Sequence, residues 1–155
     1  MASEFSIQVQ GAQPVLQVLA QLRGRLENMG PAWQEVGDEL TARADRRFET
    51  KTDPAGKAWA PWKPATRRLR AKEGRGTLLE YTGLLRASLN ALATRDHLVL
   101  GLGQAYGPYT ETGTRKMARR SVFLGQVAPQ PQLGEQDSRA VLEILMDHLS
   151  GGARG

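Results

Sequence analysis

The sequence of 155 residues contains no cysteine, which excludes disulfide bonds, thiolate nucleophiles and sulfur-ligated metals. Only two histidines are present, and neither His97 nor His148 lies at a spacing from acidic residues that resembles a metal site. We interpret both as surface or edge residues. No apolar run approaches the about 18 residues needed to cross a membrane, and the first residues lack the profile of a signal peptide. We therefore predict no membrane contact.

The sequence patterns of enzyme active sites are also missing. No serine stands in a Gly-x-Ser-x-Gly turn, and Gly56-Lys57 lacks the other residues of a phosphate-binding loop. Gly101-Leu102-Gly103 has no third glycine for a dinucleotide, and we interpret it as a hairpin turn. The carboxylates are scattered or lie beside arginines, as in Asp45-Arg46-Arg47 and Asp137-Ser138-Arg139, which is typical of solvated helix faces. We predict that the chain is not an enzyme and uses no cofactor and no metal.

Aromatic residues make up only 6% of the chain, so a core has to come mainly from Leu, Val and Ala in helices. Apolar residues at three- and four-residue spacing predict helices over residues 14–29, 31–50, 79–91 and 136–149. Extended segments are predicted over residues 5–10, 97–101 and 104–109. This order indicates an α+β fold, with a small antiparallel sheet, about four packed helices and long extended loops. We predict one domain over residues 1–150 and a flexible tail over residues 151–155.

Residues 52–76 form the longest segment without a helical or strand period. Asp53-Pro54 ends the preceding helix, because proline lacks an amide proton and disfavours helical geometry in the residue before it. The segment holds Trp59 and Trp62, two of the three tryptophans of the chain. Since loops of this length in compact domains are usually functional or disordered, we predict a functional loop.

Two basic clusters accompany a net charge of +5. They lie at residues 67–75 and 115–120, and Trp59, Trp62 and Tyr106 offer aromatic faces for stacking. Such loops can follow a phosphate backbone, they can meet acidic faces on other proteins, or they can simply be solvated. Because the chain shows no recognisable nucleic-acid-binding fold, we favour contact with proteins.

Four segments, read in order, carry a resemblance to one family. The first is residues 47–66, which contain Asp53-Pro54-x-Gly56-x-x-Trp59, and the second is residues 79–89, which contain Thr82-Gly83-x-Leu85-Arg86-x-Ser88-Leu89. The third is residues 106–114, which contain Tyr106 and Gly113, and the fourth is residues 119–125, which end in Phe123-Leu124-Gly125. Together they resemble the phage virion morphogenesis, or tail completion, family. The chain departs from that pattern where Thr110 or Glu111 replaces a histidine and where Met117-Ala118-Arg119-Arg120 replaces a proline-led segment. The lost histidine argues further against a catalytic role.

The resemblance implies a structural protein of a tailed phage that acts at the junction of head and tail. Relatives are thought to form rings, usually hexamers, that close the tail tube and present a surface to the head connector. The expected partners are therefore copies of the chain itself in a ring, the tail tube protein and the connector or neck proteins. The expected location is the virion, with the host cytoplasm during assembly.

Three alternatives stay open at this point. A head-side neck protein, either a stopper or an adaptor, would use the same ring arrangement with a different neighbour. A nucleic-acid-binding module would use the basic loops, and an assembly chaperone would be absent from the finished particle. Non-specific proximity to phage DNA is compatible with each of these.

Interface contacts are predicted for aromatic, basic and apolar side chains in the two basic loops and around them. The predicted interface residues are Trp59, Trp62, Arg67, Arg68, Arg70, Tyr106, Tyr109, Arg115, Arg119, Arg120, Phe123 and Leu124. Tryptophans buried in an interface cost ~2 kcal/mol or more when truncated, so both indoles are candidate anchors. Of the two, Trp59 matches the family motif and is expected to pack within its own domain, whereas Trp62 is the better candidate for contact with a neighbour.

Overall fold

The computed structural model describes residues 11–74 and 76–152, and the predicted strand at residues 5–10 lies outside them. The described part is an α+β fold, as predicted. Its helices are α1 (Ala12–Glu27), α2 (Gly30–Thr50), α3 (Pro64–Glu73), α4 (Leu84–Ala87), α5 (Gly107–Thr112) and α6 (Glu135–Ser150). Its strands are β1 (Leu89–Ala93), β2 (Leu98–Leu102), β3 (Leu124–Gln126) and β4 (Gln132–Leu133). None of the described helices is both long enough and apolar enough to cross a membrane.

Helix α2 is the central element of the fold. Its apolar residues Ala32, Val36, Leu40, Ala44 and Phe48 recur every fourth position, and all five are buried. The helix packs against the β1–β2 hairpin on one side and against α6 on another. The predicted helices at residues 14–29, 31–50 and 136–149 are therefore confirmed as α1, α2 and α6.

The strands form two separate two-stranded antiparallel sheets, rather than the single sheet that was predicted. Strand β1 pairs with β2 so that Leu89 faces Leu102 and Ala93 faces Leu98. Gly37 lets this hairpin approach α2, because a Cβ atom there would lie 3.1 Å from Leu98 Cδ1. The second sheet pairs β3 with β4.

The predicted helix at residues 79–91 is wrong over most of its length. Only the single turn of α4 is helical, and the chain enters β1 at Leu89. Gly83 has a left-handed backbone with φ of 77°, so a helix cannot run through this position from upstream. The hairpin turn lies at residues 94–97, where Thr94 N donates to His97 O at 2.8 Å, and not at Gly101-Leu102-Gly103 as predicted.

Two segments that were predicted to be non-helical contain helices. The loop at residues 52–76 includes α3, which begins at Pro64 and ends where Gly74 adopts a left-handed conformation with φ of 62°. Its Ala, Arg, Leu, Lys and Glu residues are all strong helix formers. The extended segment predicted at residues 104–109 is also wrong, because α5 begins at Gly107 with Pro108 in its first turn.

The core lies between α2, α4 and the chain around residue 122. Six buried side chains form its main cluster, namely Ala44, Phe48, Trp59, Leu85, Val122 and Phe123. Leucines from β1, β2 and β4 pack against this cluster. Two aromatic residues of the predicted interface, Trp59 and Phe123, are therefore part of the core.

Candidate protein interface

A buried ion pair fixes α2 to the start of α6. Arg47 Nη2 lies 2.6 Å from Asp137 Oδ1, and Arg47 Nη1 lies 2.8 Å from Asp137 Oδ2. Arg47 Nη1 also donates to the carbonyl oxygen of Val122 at 2.7 Å. The prediction that these two residues lie on solvated helix faces is therefore wrong, because each is buried and has the other as its partner.

The buried carboxylate of Glu111 organises residues 121–124. Glu111 Oε1 accepts hydrogen bonds from the amides of Val122 at 2.8 Å and Phe123 at 3.1 Å. Glu111 Oε2 accepts from the amide of Leu124 at 3.0 Å and from the hydroxyl of Ser121 at 2.8 Å. One side chain thus holds the Phe-Leu-Gly segment against α5. In the sequence Glu111 stands out only as a departure from a motif, and no local pattern indicates its structural role.

Trp59 packs within its own chain, which confirms that expectation. Its side chain is 5% exposed, and its ring meets Phe48 edge to face at a centroid distance of 5.7 Å. Its Nε1 donates to the carbonyl oxygen of Ser121 at 2.9 Å. As a consequence, residues 52–60 are tied to the loop that Glu111 holds.

The segment before Trp59 is a folded turn. Asp53 Oδ1 accepts from the amides of Ala55 and Lys57, both at 2.9 Å, and Gly56 between them has φ of 80°. The amide of Trp59 then donates to the carbonyl oxygen of Lys51 at 2.8 Å. Asp53 and Gly56 therefore shape the backbone that delivers Trp59 to the core.

Four of the predicted interface residues line one groove between α3, α5 and the loop at residues 113–121. They are Trp62, Arg70, Tyr106 and Arg120. The groove has a volume of about 630 Å³ and a partly apolar lining that includes Leu79, Leu84 and Met117. Among the described residues that line it, four are basic and none is acidic. We call this the Trp62 groove.

Two of the cations in the Trp62 groove already have partners. Arg70 lies over the ring of Tyr81 at 3.5 Å from its centroid and donates to Glu73 at 2.8 Å. Arg120 donates to the carbonyl oxygens of Ala60 at 2.8 Å and Pro61 at 3.1 Å. Burial lowers the pKa of the Arg120 guanidinium. The other two cations, Lys63 and Lys116, are exposed, and the sequence analysis did not single them out.

The remaining predicted interface residues are spread over the surface and the core. Arg67, Arg68, Tyr109 and Arg115 are exposed but do not line the Trp62 groove. Arg119 is half-buried and donates to the carbonyl oxygens of Glu111 and Leu124, and Leu124 itself is half-buried in β3. Arg120 and Phe123 are buried in the chain. Partner contact stays a prediction for all twelve residues, and the exposed side chains are the ones available for it.

A second charged cluster surrounds Arg86, the arginine of the Thr82-to-Leu89 motif. Arg86 donates to Asp45 from Nε at 2.5 Å and from Nη2 at 2.7 Å, and further to Glu49 and Glu80. The hydrogen bond from Arg86 lowers the pKa of Asp45, and the same bond raises the pKa of Arg86. Burial alone would raise the pKa of Glu80, but hydrogen bonds from Lys51 and Arg86 outweigh it, so this pKa is lowered.

The charged side chains of these clusters hold separate segments of the chain together. Within the described ranges 11–74 and 76–152, no group of three or more His, Asp and Glu side chains is placed to hold a metal ion. The structure instead contains a hydrogen-bonded framework and a surface groove, the Trp62 groove, that is lined by aromatic and basic side chains. Such a surface suits binding to a macromolecule.

Comparison with known proteins decides the family. The family model of the phage virion morphogenesis family matches residues 10–150, which is nearly the whole chain. The chain belongs to the phage virion morphogenesis family. The resemblance inferred from the four motifs is therefore confirmed, and membership indicates a structural or assembly role in the phage virion. The chain matches no curated protein and no solved structure.

Several residues of the four family-like segments make structural contacts within this chain. Trp59 and Arg86 hold segments of one chain together, and Glu111 holds the Phe-Leu-Gly segment. These residues build the framework of the fold.

Proposed function

We propose that this chain is a tail completion, or tail terminator-like, subunit at the head–tail junction of a phage. Copies of the chain form a ring that closes the tail tube and binds the head connector. The observation that carries the proposal is the Trp62 groove, an aromatic and basic surface without an acidic lining residue among those described, on a member of a virion assembly family.

The composition of the Trp62 groove suits an acidic protein face. Trp62 and Tyr106 supply aromatic area, and Lys63 and Lys116 supply exposed positive charge. Aromatic side chains that become buried in an interface carry a disproportionate share of its binding energy. Opposite charges at the rim guide encounter and orientation more than they add affinity.

A protein partner fits these contacts better than a nucleic acid does. Phosphate backbones are bound by free lysine and arginine side chains. In the Trp62 groove both arginines are held within the chain, Arg70 by Glu73 and Tyr81 and Arg120 by two carbonyl oxygens. Among the described residues that line the groove, Lys63 and Lys116 are the two cations that remain for phosphates.

Imaging of purified particles tests the location directly. We expect this chain to fit density between the head and the tail, on the tail side of the junction. Density on the head side would favour a stopper or adaptor, and absence of the chain from purified particles by mass spectrometry would favour an assembly chaperone.

A variant pair tests the groove. Trp62→Ala combined with Tyr106→Ala removes the half-buried and the exposed ring of the groove, whereas the control Leu92→Ala removes an exposed side chain of β1 outside the groove. In a phage that lacks its own copy, we expect the groove variant to lower the yield of joined particles about tenfold or more. The control should support assembly like the wild type. Joining at the wild-type level by the groove variant would contradict the proposal.

A further inference from the structure

Helix α1 presents an apolar face that the described chain does not cover. None of its residues is buried, and Val15, Leu16, Val18, Leu19 and Leu26 are each exposed by 54% to 61%. Monomeric proteins rarely leave contiguous apolar surface of this kind uncovered, and such surface often marks a protein contact.

Within the described residues, the helix is attached near its C-terminal end alone. Arg25 Nη1 donates to the carbonyl oxygen of Leu149 at 2.8 Å, and Arg95 Nε donates to that of Glu27 at 2.8 Å. By contrast, every residue from 11 to 21 is exposed. Because isolated helices shorter than about 12–15 residues are marginal in water, this part of α1 needs a packing partner to be stable.

The spacing of the apolar residues indicates that the partner is another helix. Val15, Leu19, Leu22 and Leu26 follow one another at intervals of four, three and four residues. Apolar residues at this alternating spacing form the line of contact along which one helix packs against a second helix. The stretch is too short for a coiled coil that is stable alone, so it fits a helix that belongs to a folded domain.

Helix α6 carries a second uncovered apolar patch of the same kind. Leu142 and Met146 lie one turn apart and are exposed by 61% and 60%. The α1 of the same chain meets α6 near Leu149, three residues beyond Met146, and still leaves this patch exposed. In its described part, each chain therefore leaves an apolar face of α1 and an apolar face of α6 exposed to solvent.

The charges of the two helices are complementary. Helix α1 has one acid and two arginines, of which Arg25 is bonded to its own chain and Arg23 is exposed, whereas α6 has four acids and one arginine. Of the α6 acids, Glu143 is exposed beside Leu142 and can meet a basic partner, whereas Glu135 pairs with Arg139 and Asp137 with Arg47. A pair of α1 helices would lack this complementarity.

We propose that α1 of one copy packs its apolar stripe on the Leu142–Met146 patch of α6 of a second copy. The two surfaces differ, so the contact is head to tail, and repetition of it gives a ring or an open chain. Ring closure rests on the function proposed above, but the contact itself does not. It is tested on purified protein, whereas the location in the virion is tested on particles.

The first test compares two variants of α1 that carry the same added charge. Val15→Glu/Leu19→Glu places two carboxylates on the apolar stripe, and Gln13→Glu/Gln17→Glu places two on the opposite face of the same helix. Sedimentation and native mass spectrometry at micromolar concentrations report self-association. We expect the wild type and the Gln13/Gln17 variant to associate alike, and the stripe variant to associate about tenfold more weakly or not at all.

The second test asks whether the contact is head to tail. Leu142→Glu/Met146→Glu should also abolish assembly. A mixture of this variant with Val15→Glu/Leu19→Glu retains one intact α1 and one intact α6 face, so we expect a one-to-one dimer that grows no further. Unimpaired assembly by the α6 variant would indicate pairing of α1 with α1 and would overturn the proposal. A monomeric wild type would also overturn it, and would instead favour cover by residues 1–10 of the same chain or by another protein.

Discussion

Arg47 and Asp137 lie 90 positions apart in the sequence and form a two-pronged ion pair with N–O distances of 2.6 Å and 2.8 Å. Asp137 is fully buried and belongs to the first turn of α6, where a negative charge also suits the helix dipole. The pair therefore determines how α6 docks on α2. Through the carbonyl oxygen of Val122 it also holds the loop at residues 121–124.

Replacement of Asp137 by Asn should strongly destabilise the fold. The change leaves the Arg47 guanidinium buried without its counter-charge, which costs about 3–5 kcal/mol when one partner of a buried pair is removed. The free energy of unfolding in urea measures the loss. As a control, Glu135→Gln in the same turn removes an exposed carboxylate and should change stability by less than about 0.5 kcal/mol. A loss below about 1 kcal/mol for Asp137→Asn would show that the pair does not stabilise α6 docking.

Replacement of Glu111 by Gln should loosen residues 121–124. The side chain keeps its size, but one acceptor oxygen becomes an NH₂ group that faces hydrogen-bond donors. We expect a loss of about 2 kcal/mol or more, because hydrogen bonds to charged groups are lost and donors remain unpaired. Hydrogen exchange should become faster at the amides of Val122, Phe123 and Leu124. If exchange at these amides matched that of the exposed-site control Glu35→Gln, Glu111 would not hold the segment.

The long amphipathic helices could be predicted from the sequence, because their signal is local. The four-residue spacing from Ala32 to Phe48 specifies a buried face without knowledge of the rest of the chain. Strand β1 could not be predicted in this way. The spacing of Leu85, Leu89 and Leu92 fits a helix, and the strand is determined by pairing with β2, which a local pattern does not report. Helix α3 was missed because it buries no residue and so has no apolar stripe.

The composition of the candidate site could be predicted from the sequence, but its geometry could not, and its role as an interface stays a prediction. Aromatic and basic composition indicated an interaction surface, and four predicted residues do line one groove. The sequence could not show that Arg47 and Asp137 meet, since the contact joins helices that are distant in the chain. Trp59 shows the value of a motif, because its place in the family pattern correctly indicated burial.

The Arg86 cluster should make the free energy of unfolding depend on pH in the acid range. The pKa values of Asp45 and Glu80 are lowered from 3.8 and 4.5, so both carboxylates stabilise the fold above those values. This stabilisation is lost as the pH falls through the lowered values in the folded state. We expect the free energy of unfolding to fall between about pH 5 and pH 3.

A double variant assigns that acid dependence to the cluster. Asp45→Asn/Glu80→Gln should be less stable than the wild type at neutral pH and should lose less stability over the same acid interval. The exposed-site variant Asp96→Asn serves as the control. If the double variant and the wild type lost equal amounts of unfolding free energy over this acid interval, the assignment would be contradicted. Urea unfolding at a series of pH values gives the comparison.

Substitution of each of the two tryptophans in the segment after α2 should separate an effect on stability from an effect on particle assembly. Trp59 is buried in the core with a hydrogen-bonded indole, so Trp59→Ala should cost about 3–5 kcal/mol of unfolding free energy. Trp62 is half-buried at the groove, so Trp62→Ala should cost clearly less in the isolated chain and should instead lower the yield of joined particles. Thermal unfolding and electron microscopy of complemented particles measure the two effects. Equal losses of stability in both variants, with normal joining by Trp62→Ala, would make Trp62 a second core residue and remove it from the interface.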